Sequence, residues 1–253
     1  MTTRYTAAIT AAEKDVVLPQ FVNKGLFGGA ITIDLPDGFL DASTFRQVPD
    51  NQEVFVSQDS SETNDTSIII ELVERLELEC SPSPRERDGA VLHDPLNAPR
   101  MTAQDTDEDL QAVQAHYEEI ASINSSISGA SIVDIGNVAV PKLPSFVSAY
   151  LITGTQITEK WGHRSSHASS SIQEMFLILT LGVVRIPEKS TDVLISFNYA
   201  QPCTPDLERA FSDDNGYVAG VQGDDVLQRI AHVQCVAKKT ISSINVINWG
   251  LFQ

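Results

Sequence analysis

Cysteine is scarce in this chain of 253 residues: three in all, Cys80, Cys203 and Cys235, far apart and odd in number. That spacing holds no CxxC pair and no disulfide framework, which fits a reducing compartment. No run approaches the ~18 apolar residues of a membrane helix, and the N-terminus MTTRYTAAITAAEKD lacks the apolar core of a secretory signal. Basic residues are few as well: 17 Lys and Arg stand against 34 Asp and Glu, a net charge of −17 with a pI near 4.5. Such a surface repels phosphate backbones and anionic membranes, so neither nucleic acid nor membrane is expected as a partner. It either favours a basic partner or only keeps the protein soluble. Also missing are GxxxxGK[ST], GxSxG and HExxH, which removes a P-loop, a serine nucleophile elbow and a zincin site. His163 and His167 have i, i+4 spacing, but Gly162 and the serines around them read as a loop with no nearby carboxylate or cysteine. No metal, cofactor or catalytic residue is expected.

What is present is an ordinary share of core-forming residues, 42% hydrophobic with 20% charged, enough for a sizeable globular core. The most informative stretch is Leu26 to Val56. After the Gly28-Gly29 pair, Ile31, Ile33 and Leu35 alternate with Thr32 and Asp34, the period of a half-buried strand. Pro36-Asp37-Gly38 supplies a tight turn. Asp41 is placed to cap a short helical turn, and Val48, forced extended by Pro49, must end it. Pro49-Asp50-Asn51 makes a second turn, and Glu53 to Val56 opens the next strand.

Further along, residues 1–24 read as a loosely attached extension, although Val16-Val17-Leu18 suits an edge strand. Ser67 to Leu78 reads as a strand with a helical or irregular tail, because three consecutive isoleucines suit a sheet. Residues 79–104 are rich in proline and poor in apolar residues, the composition of a disordered insertion. Leu110, Val113, Tyr117 and Ile120 mark one face of a helix over 105–123, with acidic residues crowding its N-terminus where the macrodipole favours them. His116 sits on that helix's flank, as a surface or packing residue. Ser131 to Val140 and Ser148 to Thr158 read as strands, with Gly154 marking a bulge or a crowded contact. Met175 to Ile186 is almost continuously apolar and is the candidate central strand. A short turn, with Thr191-Asp192 capping it, returns antiparallel into Asp192 to Tyr199. Trp161, just past the earlier strand, reads as a half-buried core residue ahead of an interaction hot spot, although tryptophans are enriched at hot spots. Val226, Ile230, Val233, Ala237, Ile241 and Ile244 form the stripe of a long closing helix. Short turns and few intervening helices predict an antiparallel sheet, with helices near 105–123 and 224–244 covering its faces.

Two carboxylates at the strand mouth stand out. Asp50 either closes the Pro49 turn through its side chain or belongs, with Glu53, to a negative patch no more than ~10 Å across in an extended chain. Glu53 is either a solvated strand-start residue or the second half of that patch.

Several blocks resemble the Ran guanine-nucleotide release factor family, the Mog type of fungi and animals. They are Leu26 to Ile31, Gly38 to Ser43, Arg46 to Phe55 (RQVPDNQEVF), Ser67 to Leu72 and Thr191 to Asn198, together with a C-terminal helix ending in Leu251-Phe252. The resemblance spans most of the chain but is dense only in the first blocks and the late strand. It implies a single domain over 25–253 with an α/β fold: a three-layer α/β/α sandwich around a mostly antiparallel sheet, related to an extrinsic photosystem II subunit. It also implies a non-catalytic partner of the GTPase Ran, a monomer of nucleus and cytoplasm that promotes nucleotide release and supports nuclear import. On this reading Asp50 and Glu53 contribute to Ran binding, with Arg46, Asn51 and Gln52 at the rim. The rival readings are an adaptor or chaperone-like scaffold for another partner and, more remotely, an acid/base hydrolase using the same two carboxylates.

Overall fold

Two antiparallel sheets organise the chain. In this computed structural model residues 6–58, 65–77, 103–124, 130–161, 172–204 and 223–252 are described. A seven-stranded sheet has the order β3-β4-β5-β9-β8-β7-β6, where β3 is Phe39–Asp41, β4 Gln52–Ser57, β5 Asp65–Glu74, β6 Ser131–Asn137, β7 Ser148–Trp161, β8 Ile172–Ile186 and β9 Thr191–Pro202. A three-stranded sheet joins β1 (Phe21–Leu26), β2 (Ile31–Pro36) and β10 (Asn245–Val246) in the order β1-β2-β10. The helices are α1 (Thr6–Ala12), α2 (Ala103–Ile123) and α3 (Gly223–Ser243). Every neighbouring pair of strands is antiparallel. The expected insertion at 79–104, apart from the residues that open α2, lies outside the described residues, as do His163, His167 and the side chain of Trp161.

The apolar run of β8 explains how the layers are held. Leu177, Leu179, Leu181 and Val183 pack with Val113, Tyr117 and Ala121 of α2. Val184 and Ile186, on the opposite face, join Val233, Val236, Ala237 and Ile241 of α3, and Phe176 and Ile178 join Val226 and Ile230. The small sheet shares that second face, where Ile31, Ile33 and Leu35 of β2 are fully buried beside α3. A strand buried on both faces loses the polar alternation of a half-exposed one, which is why this segment reads as continuously apolar. Its place is interior, although the middle of the seven positions belongs to β9. Each fully buried large side chain contributes about 1.5–3 kcal/mol of transfer free energy.

Local turns follow the reading closely. Gly38 has φ +84° in the turn after Pro36. The Asp41 carboxylate accepts the Ser43 N–H at 2.8 Å, capping a 3-10 turn over Ala42–Thr44. Gly154 is a crowded contact: a Cβ there would lie 2.0 Å from Tyr117 Oη and 2.7 Å from the Ser131 carbonyl. A bulge also lies opposite, where the β6 register shifts between Ile132 and Asp134.

Three expectations need correction. Residues 6–24 do not form a detached extension: Ile9 of α1 is buried in the cluster under α3, and Glu13 pairs with Lys238 at 2.5 Å. An apolar residue and a counter-charge in a short helix suffice to dock it. The added strand is β1 at Phe21–Leu26, whereas Val16 to Leu18 are not in a strand. The C-terminal helix stops at Ser243 rather than running to Leu251-Phe252. Asn245 and Val246 instead pair with Thr32 and Ile31, satisfying the other edge of β2, and the Asn248 side chain accepts the Gly250 N–H at 2.9 Å in a final 3-10 turn.

The third correction concerns polar residues at one end of the large sheet. Asp192 does not cap the hairpin; its side chain is completely buried, and Thr191 Oγ1 bonds the Lys189 carbonyl instead. Asp192 Oδ2 accepts the Leu76 N–H at 3.1 Å and lies 3.0 Å from His116 Nε2, so His116 is a buried packing residue. Arg185, in register with Asp192 on β8, places Nε 2.8 Å from Asp109 and Nη1 3.7 Å from Asp192. The Asp109 carboxylate also accepts the Ser148 and Tyr150 hydroxyls at 2.8 and 3.0 Å. Burial first, and then the Asp109 charge, push the Tyr150 hydroxyl pKa well above its ordinary range. This cluster ties α2, β7, β8, β9 and the chain after β5 together.

Arg185→Leu is therefore expected to destabilise the protein by about 3–5 kcal/mol, because it removes the buried guanidinium that both buried carboxylates face. Urea denaturation measures it; a loss below about 1 kcal/mol would mean the cluster is solvated in solution.

Candidate functional site

Of the five residues singled out at the mouth of β4, Arg46 follows the 3-10 turn, Asp50 and Asn51 lie in the Pro49 turn, and Gln52 and Glu53 take the first two positions of the strand. Arg46, Asp50 and Asn51 are exposed, while Gln52 and Glu53 are half-buried. The Pro49 turn is closed by its backbone, with Gln52 N–H donating to the Pro49 carbonyl at 2.9 Å. Asp50 is thus not needed to close it, and its carboxylate makes no hydrogen bond or ion pair with the described residues.

Strand alternation separates the remaining members. Gln52 lies opposite Glu71 of β5, and Glu53 opposite Ile70. Successive side chains point to opposite faces, so Gln52 and Glu53 cannot share one. Asn51 Nδ2 and Gln52 Nε2 both donate to Glu71 Oε1, at 3.2 and 3.0 Å, and Asn51 Nδ2 also reaches the Leu72 carbonyl at 3.2 Å. The backbone adds Leu72 N–H to the Asn51 carbonyl at 2.9 Å, locking the turn onto β5. These two amides are committed to building the turn.

Glu53 turns the other way. It lies on the face of Phe55, Ile68 and Ile70, which pack against the small sheet and α3. Its Oε1 accepts the Phe27 N–H at 2.6 Å. Phe27 opens the turn between β1 and β2 and has a left-handed backbone, φ +50°, followed by Gly28 at +67° and Gly29 at +88°. The sequence marked both the Gly28-Gly29 pair and Glu53, but not that Glu53 holds Phe27, the residue before the pair: 26 residues of separation hide that contact. Glu71 was not singled out either; only the β4–β5 register reveals it.

The arrangement offers an exposed carboxylate on a rigid turn, flanked by Arg46 and by a second carboxylate engaged with the backbone. No group of three or more His, Cys, Asp or Glu side chains positioned for a metal occurs among the described residues. Among the same residues no helix is long and apolar enough to cross a membrane. Cys235 is only partly exposed, and burial followed by the nearby Glu13 charge raises its thiol pKa, which disfavours the nucleophilic thiolate. A shallow hollow of about 300 Å³ between Asn137–Pro141 and Val147–Tyr150 is mostly apolar, and the Tyr150 hydroxyl on its wall is committed to Asp109.

An α/β protein with two antiparallel sheets and a charged turn at the end of one of them is the class that fold and site define. The family model described as Ran-interacting Mog1 protein matches residues 24–200, and the chain belongs to that family. The Ran guanine nucleotide release factor of Danio rerio is 28% identical over 181 residues, which cover 70% of this chain and 77% of the relative. The nuclear import protein mog1 of Schizosaccharomyces pombe is 60% identical over 52 residues, 21% of this chain and 26% of its own length. The solved structure of the Saccharomyces cerevisiae Ran-binding protein Mog1p is similar in fold, with a TM-score of 0.53 at 22% identity over 93% of this chain and 100% of that one. A glutamate-to-alanine variant of Mog1 gives 0.57 at 22% identity over 92% and 100%.

The geometry separates the two carboxylates in a stability measurement. Asp50→Lys is expected to change the unfolding free energy by no more than ~0.5 kcal/mol. Glu53→Lys should cost about 1–3 kcal/mol, because the Phe27 N–H loses its acceptor. Equal effects in urea titrations would contradict the assigned contacts.

Proposed function

We propose that this protein binds the small GTPase Ran and promotes release of its guanine nucleotide, supporting nuclear protein import. The observation that carries the reading is the match to the Ran-interacting family over residues 24–200. An exposed Asp50 on a turn fixed by Asn51, Gln52 and Glu71 supports it at the level of the site. A GTPase holds its nucleotide through phosphate-loop amides, a lysine and Mg²⁺. A protein that binds the nucleotide-free or loosened form more tightly must weaken nucleotide affinity by the same factor, because coupling between two ligands is reciprocal. No covalent step is needed, so the role is that of a non-catalytic regulator.

In this proposal Asp50 supplies negative charge toward basic side chains of Ran, with Arg46 at the rim of the contact. Asn51 and Gln52 serve it by holding the turn, and Glu53 belongs to the same surface. The net charge of −17 favours a basic partner surface and speeds encounter through the long-range field. Residues 25–253, together with the docked segment 6–24, act as one Ran-binding domain, in which the sequence between β5 and α2 is an insertion. Packing of α2 and α3 against opposite faces of the large sheet supports the three-layer α/β/α description; kinship with the photosystem II extrinsic subunit is proposed on the family resemblance alone. We further propose that the protein is a monomer distributed between nucleus and cytoplasm, engaging neither nucleic acid nor membrane.

The test is release of a fluorescent guanine nucleotide from Ran, followed with and without a saturating excess of this protein. Acceleration is expected, and raising the salt concentration should weaken it, because exposed charges are screened. Equal release rates would refute the exchange role. Absence of any complex with Ran would favour the adaptor reading.

A further inference from the structure

We propose that the turn Phe27–Ala30 is itself a contact surface for the GTPase, and that Glu53 serves binding by holding that turn in shape rather than by pairing with a basic side chain of the partner. The inference rests on the reading of this end of the sheet as the Ran surface.

Three successive residues of the turn have positive φ: Phe27 at +50°, Gly28 at +67° and Gly29 at +88°. For phenylalanine this region is sterically unfavourable and sparsely populated. Such conformations persist only where the surroundings over-determine them, and they cluster at functional surfaces. The surroundings here come from three distant parts of the chain. Glu53 Oε1 takes the Phe27 N–H at 2.6 Å from one side. The Ala30 carbonyl takes the Ile247 and Asn248 N–H groups at 2.8 and 3.0 Å from the other. The Phe27 side chain packs against the main core cluster. What is held so firmly faces solvent: Gly28 and Gly29 are exposed, and a Cβ on either would meet nothing within 4 Å. Packing inside this chain therefore does not require glycine there; the backbone shape does.

Two further observations point outward. Ile247, whose N–H grips the turn at Ala30, is itself 60% exposed, an apolar residue at the end of that turn. Glu53, in contrast, is half-buried with one oxygen engaged in a short charge-assisted bond. A partner's cation would have to compete with the turn for that carboxylate, whereas Asp50 is exposed with no described partner. The labour divides: Asp50 carries charge, Glu53 carries shape, and the Phe27–Ala30 backbone with Ile247 offers a neutral surface.

The experiment measures the affinity of the full chain for nucleotide-free Ran at two salt concentrations. It compares wild type with Glu53→Gln, Glu53→Ala, Gly29→Ala, Ile247→Ser and Asp50→Lys. Gln keeps an acceptor oxygen, so Glu53→Gln should stay within about threefold of wild type with the same salt dependence. Glu53→Ala and Gly29→Ala should each lose about tenfold or more, and their combination should lose little beyond the worse single variant, because both act through one turn. Should Gly29→Ala fail to fold, the exposed Ile247→Ser supplies the same reading: weakened binding supports the turn as a contact, and unchanged binding overturns it. Glu53→Gln falling as far as Glu53→Ala, with a flattened salt dependence, would make Glu53 a direct charge partner and overturn the inference. Normal binding by Asp50→Lys alongside loss in Glu53→Ala would remove Asp50 from the contact and leave the turn in it. If wild type itself fails to bind Ran, the proposed function and this inference fall together.

Discussion

Burial of the long strand β8 on both of its faces is the constraint on which the rest of the structure depends. One row of its side chains is covered by α2, the other by α3 and, through the shared cluster, by the small sheet. Neither helix finds an adequate apolar surface without that strand, and the strand cannot stand in water without both helices. The same constraint explains why the small sheet exists. Residues 21–36 turn back as a hairpin against α3, and β10 closes its other edge, so that Ile31, Ile33 and Leu35 add to the core. The candidate site is a by-product of that closure, because the β1–β2 turn is brought against the first residues of β4.

Polar groups finish what the apolar layers begin. At the end of the large sheet the Asp109, Arg185 and Asp192 side chains pair with one another, with His116 beside Asp192 and the Tyr150 hydroxyl on Asp109. Desolvating such charges is costly, and the cluster is tolerable only because its members are paired. Its influence extends toward the site. Leu72, which anchors Asn51, lies opposite Val193, and Val73 lies opposite Asp192. The exposed turn is thus mounted on a strand whose end is clamped by buried charge, which makes it a rigid platform.

Much of this was legible in the residues, and the failures have physical causes. The period-two pattern of β2, the Asp41 cap, the β8 run and the α3 stripe are local signals, and each stands where it was read. Tertiary contacts were not legible. Ile9 and Glu13 look like loose-end residues until α3 supplies a groove and Lys238. Asp192 looks like a turn cap because nothing local reveals Arg185 as its cross-strand neighbour. Asn51 and Gln52 look like rim contacts until the β4–β5 register brings Glu71 beside them. At the candidate site, the two carboxylates were readable in Arg46 to Phe55, but what each of them touches was not. That depends on which face of the strand each side chain takes and on a bond from Glu53 to Phe27 in the turn between the strands of the other sheet.

The central claim is that the Asp50 turn and the adjoining β1–β2 turn form one surface that meets Ran. Backbone hydrogen exchange of this protein, free and in complex with nucleotide-free Ran, tests it most directly. The account predicts slowed exchange concentrated at residues 26–31 and 45–53, with Ile247 and Asn248 following. Slowed exchange confined to α2, β6 or the β6–β7 hollow, with those residues unchanged, would contradict it.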